Sequence, residues 1–193
     1  MCFHTRWDGT LLKPELRTRR TLSRLVGPGD APLLLDYFRA AGKRYDPPLP
    51  DSLLTLEHWQ KHSEQLLKEY ADGSAVRLFV FTPDESELIG TVGLTRITRG
   101  VRFDCSLSYA IRQAYEGSGI MSEAVAAAIG HAFEELGLHR IEAAHAPDNH
   151  RSGRLLQRLG FQRVGTIPGF LLTQEGWRDT ILYTLLNPNW QAR

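Results

Sequence analysis

Residues 109–122 read Tyr-Ala-Ile-Arg-Gln-Ala-Tyr-Glu-Gly-Ser-Gly-Ile-Met-Ser and join a predicted strand to a predicted helix through a glycine turn. Gly117 and Gly119 lack a Cβ, so the backbone there can take unusual φ and ψ angles and approach a ligand closely. The helix that follows carries apolar residues at i, i+3, i+4 and i+7 spacing to about Leu136. A glycine turn that opens a helix directs unpaired N–H groups and the positive end of the helix dipole at one point. Such a point typically holds an anion, most often a phosphate.

The elements around this turn are predicted to mix strands and helices without repeating one unit. Hydrophobic periodicity and turn residues predict strands at 16–26, 75–81, 88–97, 102–112, 141–146, 161–167, 170–173 and 180–186, and helices at 31–41, 57–71, 120–136 and 149–159. This order indicates an α+β domain with a mixed central sheet. Residues 1–14 lack periodicity and are expected to form a flexible arm, so the domain is expected to span 15–190.

The bulk composition narrows the class of protein. A chain of 193 residues suits one domain. A net charge of +1 gives no overall field that attracts nucleic acid or a membrane. Cys2 and Cys105 are too few for a disulfide framework, no Cys/His spacing resembles a zinc site, and the N-terminus lacks the apolar run of a signal peptide. We therefore expect a reduced, cytoplasmic protein without a metal, in which Cys105 is a small core residue.

Three anions compete for the glycine turn. A nucleotide P-loop requires a lysine after its last glycine, and none is present. A dinucleotide fingerprint requires a third glycine where Ser122 stands, its ribose acid could only be Glu142, and its fold repeats a βαβ unit that this chain has once. The third candidate is the diphosphate of coenzyme A.

At this point the chain resembles the GNAT family of N-acetyltransferases. The family signature Gln/Arg-x-x-Gly-x-Gly/Ala compares with residues 114–119, where both glycines match and the first position is Ala114, with Gln113 one residue early. Further similar motifs follow in the family's order: Gly119-Ile120-Met121-Ser122-Glu123-Ala124, Asn149-His150-Arg151-Ser152, Leu159-Gly160-Phe161 and Gly176-Trp177-Arg178-Asp179. They are similar to the RimJ/RimL type, which acetylates the α-amine of ribosomal-protein alanine, and more similar to RimJ. The resemblance implies a GNAT fold, with a mixed, mostly antiparallel sheet of about seven strands and about four helices.

The resemblance also implies a cosubstrate and its contacts. Acetyl-CoA is expected to place its pantetheine arm between the fourth and fifth predicted strands, which separate in the family. The expected contact residues are Tyr109, Ala110, Ile111, Gln113, Tyr115, Glu116, Gly117, Ser118, Gly119, Ile120, Met121, Ser122, Asn149, Ser152 and Leu156. Asn149 also suits the N-cap of the short helix, and either role or both can hold.

Two residues are candidates for catalysis. The resemblance makes Ser152 the acid that hydrogen-bonds the departing thiolate. Glu123 is a candidate base acting through a water, and an acid in the first helical turn equally suits a structural role. An α-amine titrates at about pH 8, so it needs much less help from a base than a lysine side chain does.

The acceptor is expected to be the N-terminal Ala or Ser of a ribosomal or other small protein. It is expected to lie between the proline-rich loop at 47–50, with the following helix, and the hairpin that carries Trp177. Asp46, Asp51 and Glu57 are acids that could attract it or simply face solvent. His139 and His145 are expected at a sheet edge or on the surface.

Two other functions stay open from the sequence. One is acetylation of a small-molecule amine. The other is a weakly catalytic, ribosome-associated binding protein, supported only by the arginines in the first predicted strand, which a solvated strand face also explains: Arg17, Arg19, Arg20 and Arg24. We expect no membrane contact, no direct nucleic-acid binding beyond ribosome association, and a monomer or homodimer.

Overall fold

The structure, a computed structural model, describes residues 13–41 and 48–191, and these build one eight-stranded sheet with four α-helices. The strands are β1 (Glu15–Arg17), β2 (Leu22–Arg24), β3 (Val76–Phe81), β4 (Leu88–Thr98), β5 (Asp104–Ile111), β6 (Arg140–His145), β7 (Gln162–Thr173) and β8 (Gly176–Leu186). The helices are α1 (Ala31–Ala41), α2 (Leu56–Ala71), α3 (Ile120–Glu134) and α4 (His150–Arg158). The mixed α+β fold expected from the sequence is confirmed, with one strand more than the seven anticipated.

Within the described residues the sheet has the strand order β1-β2-β3-β4-β5-β6-β8-β7, and only β5 and β6 run parallel to each other. Parallel neighbours require a crossover, and α3 provides it between β5 and β6. The other neighbours are antiparallel, as the predicted hairpins indicated.

Two hydrophobic clusters cover the sheet. Successive side chains of a strand point to opposite faces, and in β3 Val80 belongs to one cluster while Phe79 and Phe81 belong to the other. The cluster with Val80 contains the apolar faces of α3 and α4, and the cluster with Phe79 contains those of α1 and α2. The two pairs of helices therefore lie mainly on opposite faces.

A gap opens within the sheet between β5 and β6. The two strands pair over four positions only, from Asp104↔Arg140 to Leu107↔Ala143. Beyond them β5 continues to pair with β4 as far as Ile111, and β6 continues to pair with β8 as far as His145. β5 thus stays paired with β4 and β6 with β8, while β5 and β6 separate from each other. Residues 108–111 therefore present a strand edge that β6 does not cover.

The number of strands was predicted wrongly in two segments, and β8 begins at Gly176 rather than at the expected 180. The strand expected at 16–26 is two short strands, because the Thr18 amide donates to the Thr21 carbonyl (2.9 Å) and the two hydroxyl oxygens lie 2.8 Å apart, which closes a turn. The strands expected at 161–167 and 170–173 are one strand, β7. Its pairing is irregular between Ile167 and Leu171, where the Gly169 amide donates to the Asp179 carboxylate (2.9 Å).

Part of the predicted organisation lies outside the described residues. The first twelve residues of the expected arm, with Cys2, are there, and so are Asp46 and Pro47 at the start of the proline-rich loop. None of the helices within 13–41 and 48–191 combines the length and apolar character that a membrane crossing requires. The acids, histidines and cysteines within the same ranges form no cluster suited to a metal ion.

Candidate active site

The glycine turn adopts a backbone that suits an anion. Gly117 and Gly119 have φ angles of 74° and 81°, and Gly119 is the N-cap of α3. A side chain would be strained at either angle. No hydrogen bond within the described part of the chain uses the amides of Gly117, Ser118 and Gly119. Three free N–H groups at the positive end of a helix match the donors that a diphosphate needs.

A hydrogen-bonded network of Arg20, Thr18 and Glu123 contacts this turn and the first turn of α3. Arg20, in the turn between β1 and β2, donates from Nη1 to the Ser118 carbonyl (2.8 Å) and from Nε to the Glu123 carboxylate (2.8 Å). The Thr18 hydroxyl donates to the second oxygen of Glu123 (3.2 Å). The hydrogen bond from Arg20 holds the pKa of Glu123 below its usual value. This is opposite to the raised pKa that makes a carboxylate an effective base near neutral pH.

The unpaired edge of β5 begins just before the turn. Tyr109, Ala110 and Ile111 lie on it, past the last residue pair with β6. On their other side β4 approaches closely, because Gly90 has no Cβ: one there would lie 2.7 Å from the Ala110 carbonyl oxygen. An extended chain that entered the gap could pair with the free backbone groups of this edge.

Ser152 lies on the opposite side of the gap, in the first turn of α4. Its hydroxyl oxygen is 2.7 Å from that of Tyr109, and its amide donates to the Asn149 side chain (3.1 Å). The expected N-cap at Asn149 is thus confirmed. Burial raises the pKa of Tyr109, although its hydrogen bond to Ser152 acts in the other direction. Tyr109 is consequently a neutral hydroxyl at physiological pH.

The residues before the glycines are fixed by partners across the site. The Tyr115 hydroxyl donates to Glu87 (2.6 Å), and Glu116 forms an ion pair with Arg151 of α4. Gln113 is exposed in a single 3-10 turn. These contacts connect the turn to the residue just before β4 and to α4.

Some expected contact residues point into the core instead. Met121 and Leu156 are buried in the cluster beneath α3 and α4. Ser122 accepts a hydrogen bond from Arg158 of α4 (3.3 Å). Side chains at 121 and 156 therefore set the position of the two helices.

His145 was placed wrongly by the sequence reading. It is only 7% exposed and lies in β6, an inner strand of the sheet. Its ring stacks on Tyr183 (5.3 Å between centroids), and Nδ1 is 2.7 Å from the Ala146 carbonyl oxygen. His139 is partly exposed beside Trp190.

The acceptor side is only partly described. Asp51 and Glu57 are exposed, and Glu57 forms an i,i+4 ion pair with Lys61. Trp177 is 69% exposed on the β7–β8 hairpin. Cys105 is buried in the core, which raises the pKa of its thiol to about 12, so the prediction of a core residue is confirmed.

The comparisons with known proteins agree with this geometry. Residues 19–162 match the family model described as acetyltransferase (GNAT) domain. The chain is 38% identical over 181 residues to the [ribosomal protein uS5]-alanine N-acetyltransferase of Escherichia coli K12, covering 92% of this chain and 93% of that protein.

Solved structures show the same fold. The ribosomal-protein-S5-alanine acetyltransferase of Vibrio fischeri superposes with a TM-score of 0.87 at 29% identity, over 93% of this chain and all of that one. Mycobacterium smegmatis RimJ, solved in complex with CoA-disulfide, superposes with a TM-score of 0.80 at 23% identity, over 90% of this chain and 86% of that one.

Proposed function

The chain belongs to the GNAT acetyltransferase family, and from this membership we propose that it transfers the acetyl group of acetyl-CoA to the N-terminal α-amine of a protein. One observation supports the location of the reaction. The strand edge that β6 leaves uncovered at 108–111 leads within a few residues to the free amides of Gly117, Ser118 and Gly119. A single ligand with an extended arm and a diphosphate fits both features.

Two backbone segments are proposed to bind different parts of acetyl-CoA. We assign the diphosphate to the amides of 117–119, and the pantetheine arm to the backbone of 109–111. Acetyl-CoA supplies the acetyl thioester. A backbone N–H on the β5 edge is suited to donate to the thioester carbonyl, where negative charge develops. Met121 and Leu156 keep α3 and α4 in place around this ligand.

Ser152 is the proposed acid. As the amine nitrogen bonds to the acetyl carbon and the carbon–sulfur bond breaks, the Ser152 hydroxyl donates a hydrogen bond to the sulfur, which leaves as a thiolate and takes its proton from solvent, while the nitrogen releases a proton to solvent. Tyr109 holds that hydroxyl in place. Glu123 is occupied by Arg20 and Thr18, so we assign it to the support of the turn; an α-amine, partly neutral near pH 7, needs no strong base.

The acceptor is inferred from the relatives. The Escherichia coli protein is named for alanine of ribosomal protein uS5. We propose a ribosomal protein with an N-terminal Ala or Ser as the acceptor here, met in the cytoplasm, where such proteins are made.

Turnover on a panel of amines tests this proposal. Thiol release from acetyl-CoA is measured with peptides that begin with Ala, Ser and Met, with free lysine and with a polyamine. The Ala and Ser peptides should react fastest, and the same peptides with a blocked N-terminus should not react. Faster reaction of the polyamine would favour a small-molecule enzyme, and thiol release with none of the amines would favour a binding protein.

A further inference from the structure

We propose that Arg20 is a positioning residue for the diphosphate of coenzyme A, acting through the glycine turn and through the charge of Glu123. This inference rests on the proposed function. Arg20 lies in the turn between the first two strands, far in sequence from the residues it contacts. From the sequence it was expected only on a solvent-exposed strand face.

Arg20 contacts the carbonyl of Ser118 in the glycine turn. Arg20 Nη1 lies 2.8 Å from that oxygen. In a trans peptide the C=O and the following N–H point in opposite directions. By holding the Ser118 oxygen, Arg20 fixes the Gly119 N–H so that it points away from the guanidinium and stays free for an anion.

Arg20 also neutralises the negative charge of Glu123. Its carboxylate lies in the first turn of α3, at the same end of the helix as the free amides. An unpaired negative charge there would repel a diphosphate. Arg20 places Nε and Nη2 at 2.8 and 2.7 Å from Glu123 Oε1, so the pair is neutral where the ligand binds.

Both contacts depend on the several nitrogens of the Arg20 guanidinium. Arg20 reaches the carbonyl and the carboxylate with separate nitrogens, which the single ammonium group of lysine cannot reproduce. A Cβ at Gly119 would lie 3.3 Å from Arg20 Nη2, so the absence of a side chain at Gly119 also makes room for this contact.

The test uses Arg20→Met, Arg20→Lys, Glu123→Gln and the double variant Arg20→Met/Glu123→Gln. Arg17→Met is the matched control, because Arg17 lies on the adjacent strand, is exposed and pairs with Glu15. Calorimetry gives the Kd of coenzyme A. Kinetics give kcat and KM for acetyl-CoA and for acetyl-pantetheine, which lacks the diphosphate.

Arg20→Met should raise the Kd of coenzyme A and the KM of acetyl-CoA about tenfold, the size expected for lost hydrogen bonds to charged groups. Its kcat/KM for acetyl-pantetheine should stay unchanged. The double variant should bind coenzyme A more tightly than Arg20→Met, since the uncompensated carboxylate is gone, and Arg20→Lys should be intermediate. Arg17→Met should match the wild type.

Three results would overturn the proposal: an unchanged Kd in Arg20→Met, an equal loss with acetyl-pantetheine, or a double variant no better than the single one. If Arg20→Met does not fold, the double variant and Arg20→Lys carry the comparison. A wild-type protein that binds no coenzyme A would instead overturn the proposed function, and this inference with it.

Discussion

The hydroxyl oxygens of Tyr109 and Ser152 lie 2.7 Å apart, and this contact bridges the gap between β5 and the first turn of α4. A serine hydroxyl otherwise rotates freely about its Cβ–Oγ bond, so the tyrosine selects one orientation. The pair is where the backbone edge and the proposed acid meet.

Tyr109→Phe removes the bridging hydroxyl and keeps the ring. We expect kcat to fall severalfold without a change in the KM for acetyl-CoA, and Ser152→Ala to lower kcat about tenfold, at the low end of general-acid effects. The double variant should be no slower than Ser152→Ala, because the two residues act as one unit. Steady-state kinetics measure all three, with Tyr70→Phe, a buried tyrosine of α2, as the control. Additive losses would contradict the pairing.

Asp104→Asn tests the closed end of the gap. The Asp104 side chain is buried at the first β5–β6 residue pair and receives hydrogen bonds from Arg140 (2.9 Å), Arg102 (2.7 Å) and Thr98. We expect the substitution to lower the free energy of unfolding by about 2 kcal/mol at pH 7. Urea denaturation measures it. Asp148→Asn, which removes an exposed ion pair, should change stability little.

The same carboxylate gives a pH dependence. Burial alone raises the pKa of Asp104, but the hydrogen bonds from Thr98, Arg140 and Arg102 together lower it below the ordinary 3.8. A depressed pKa in the folded state stabilises the protein above about pH 4, and this stabilisation is lost as the pH falls through the folded value. The stability difference between wild type and Asp104→Asn should therefore shrink below pH 4. A difference that grows on acidification would refute this assignment.

Gly119→Ala tests the turn. At a φ of 81° an alanine is strained by about 1 kcal/mol, and its Cβ would press on Arg20. We expect lower stability and weaker coenzyme A binding, and valine at 117 or 119 should abolish binding while the fold persists. Gly130→Ala in α3 is the control: nothing lies within 4 Å of its Cβ position, so stability should rise by about 1 kcal/mol with unchanged binding. Calorimetry and thermal unfolding provide both readouts.

Asn149 separates a cap from a ligand contact. Asn149→Ala removes the acceptor for the Ser152 amide and should cost about 1 kcal/mol of stability. Asn149→Asp keeps a capping oxygen and should restore that stability. If Asn149→Asp also binds coenzyme A normally, capping is the whole role; if it is stable but binds weakly, the side-chain amide contacts the ligand.

The glycine turn could be predicted because its residues are contiguous. Periodicity after Gly119 predicted α3, and the expected helix at 31–41 matches α1 residue for residue. Local patterns do not show which strands become neighbours. His145 was therefore expected at an edge, whereas β8 covers β6 and buries it. The turn at Thr18–Thr21 was missed since it uses threonine hydroxyls rather than glycine or proline.

The parts of the site that the sequence could not predict are its long-range contacts. Tyr115 with Glu87, and Arg20 with Glu123, join residues far apart in the chain. Arg17 and Arg20 look alike in the local sequence, and only their partners in the fold distinguish them: Arg20 contacts Ser118 and Glu123 across the sheet, whereas Arg17 pairs with its neighbour Glu15.

Arg20 and Glu123 are separated by 103 residues, with strands β2 to β5 between them. During synthesis the arginine emerges long before its carboxylate partner exists, and in refolding the pair must close one of the larger loops of the chain. We therefore expect the Arg20–Glu123 pair beside the glycine turn to form late in refolding, after much of the secondary structure. Capture of coenzyme A would report on completion of the native topology, and would lag behind the recovery of helical signal.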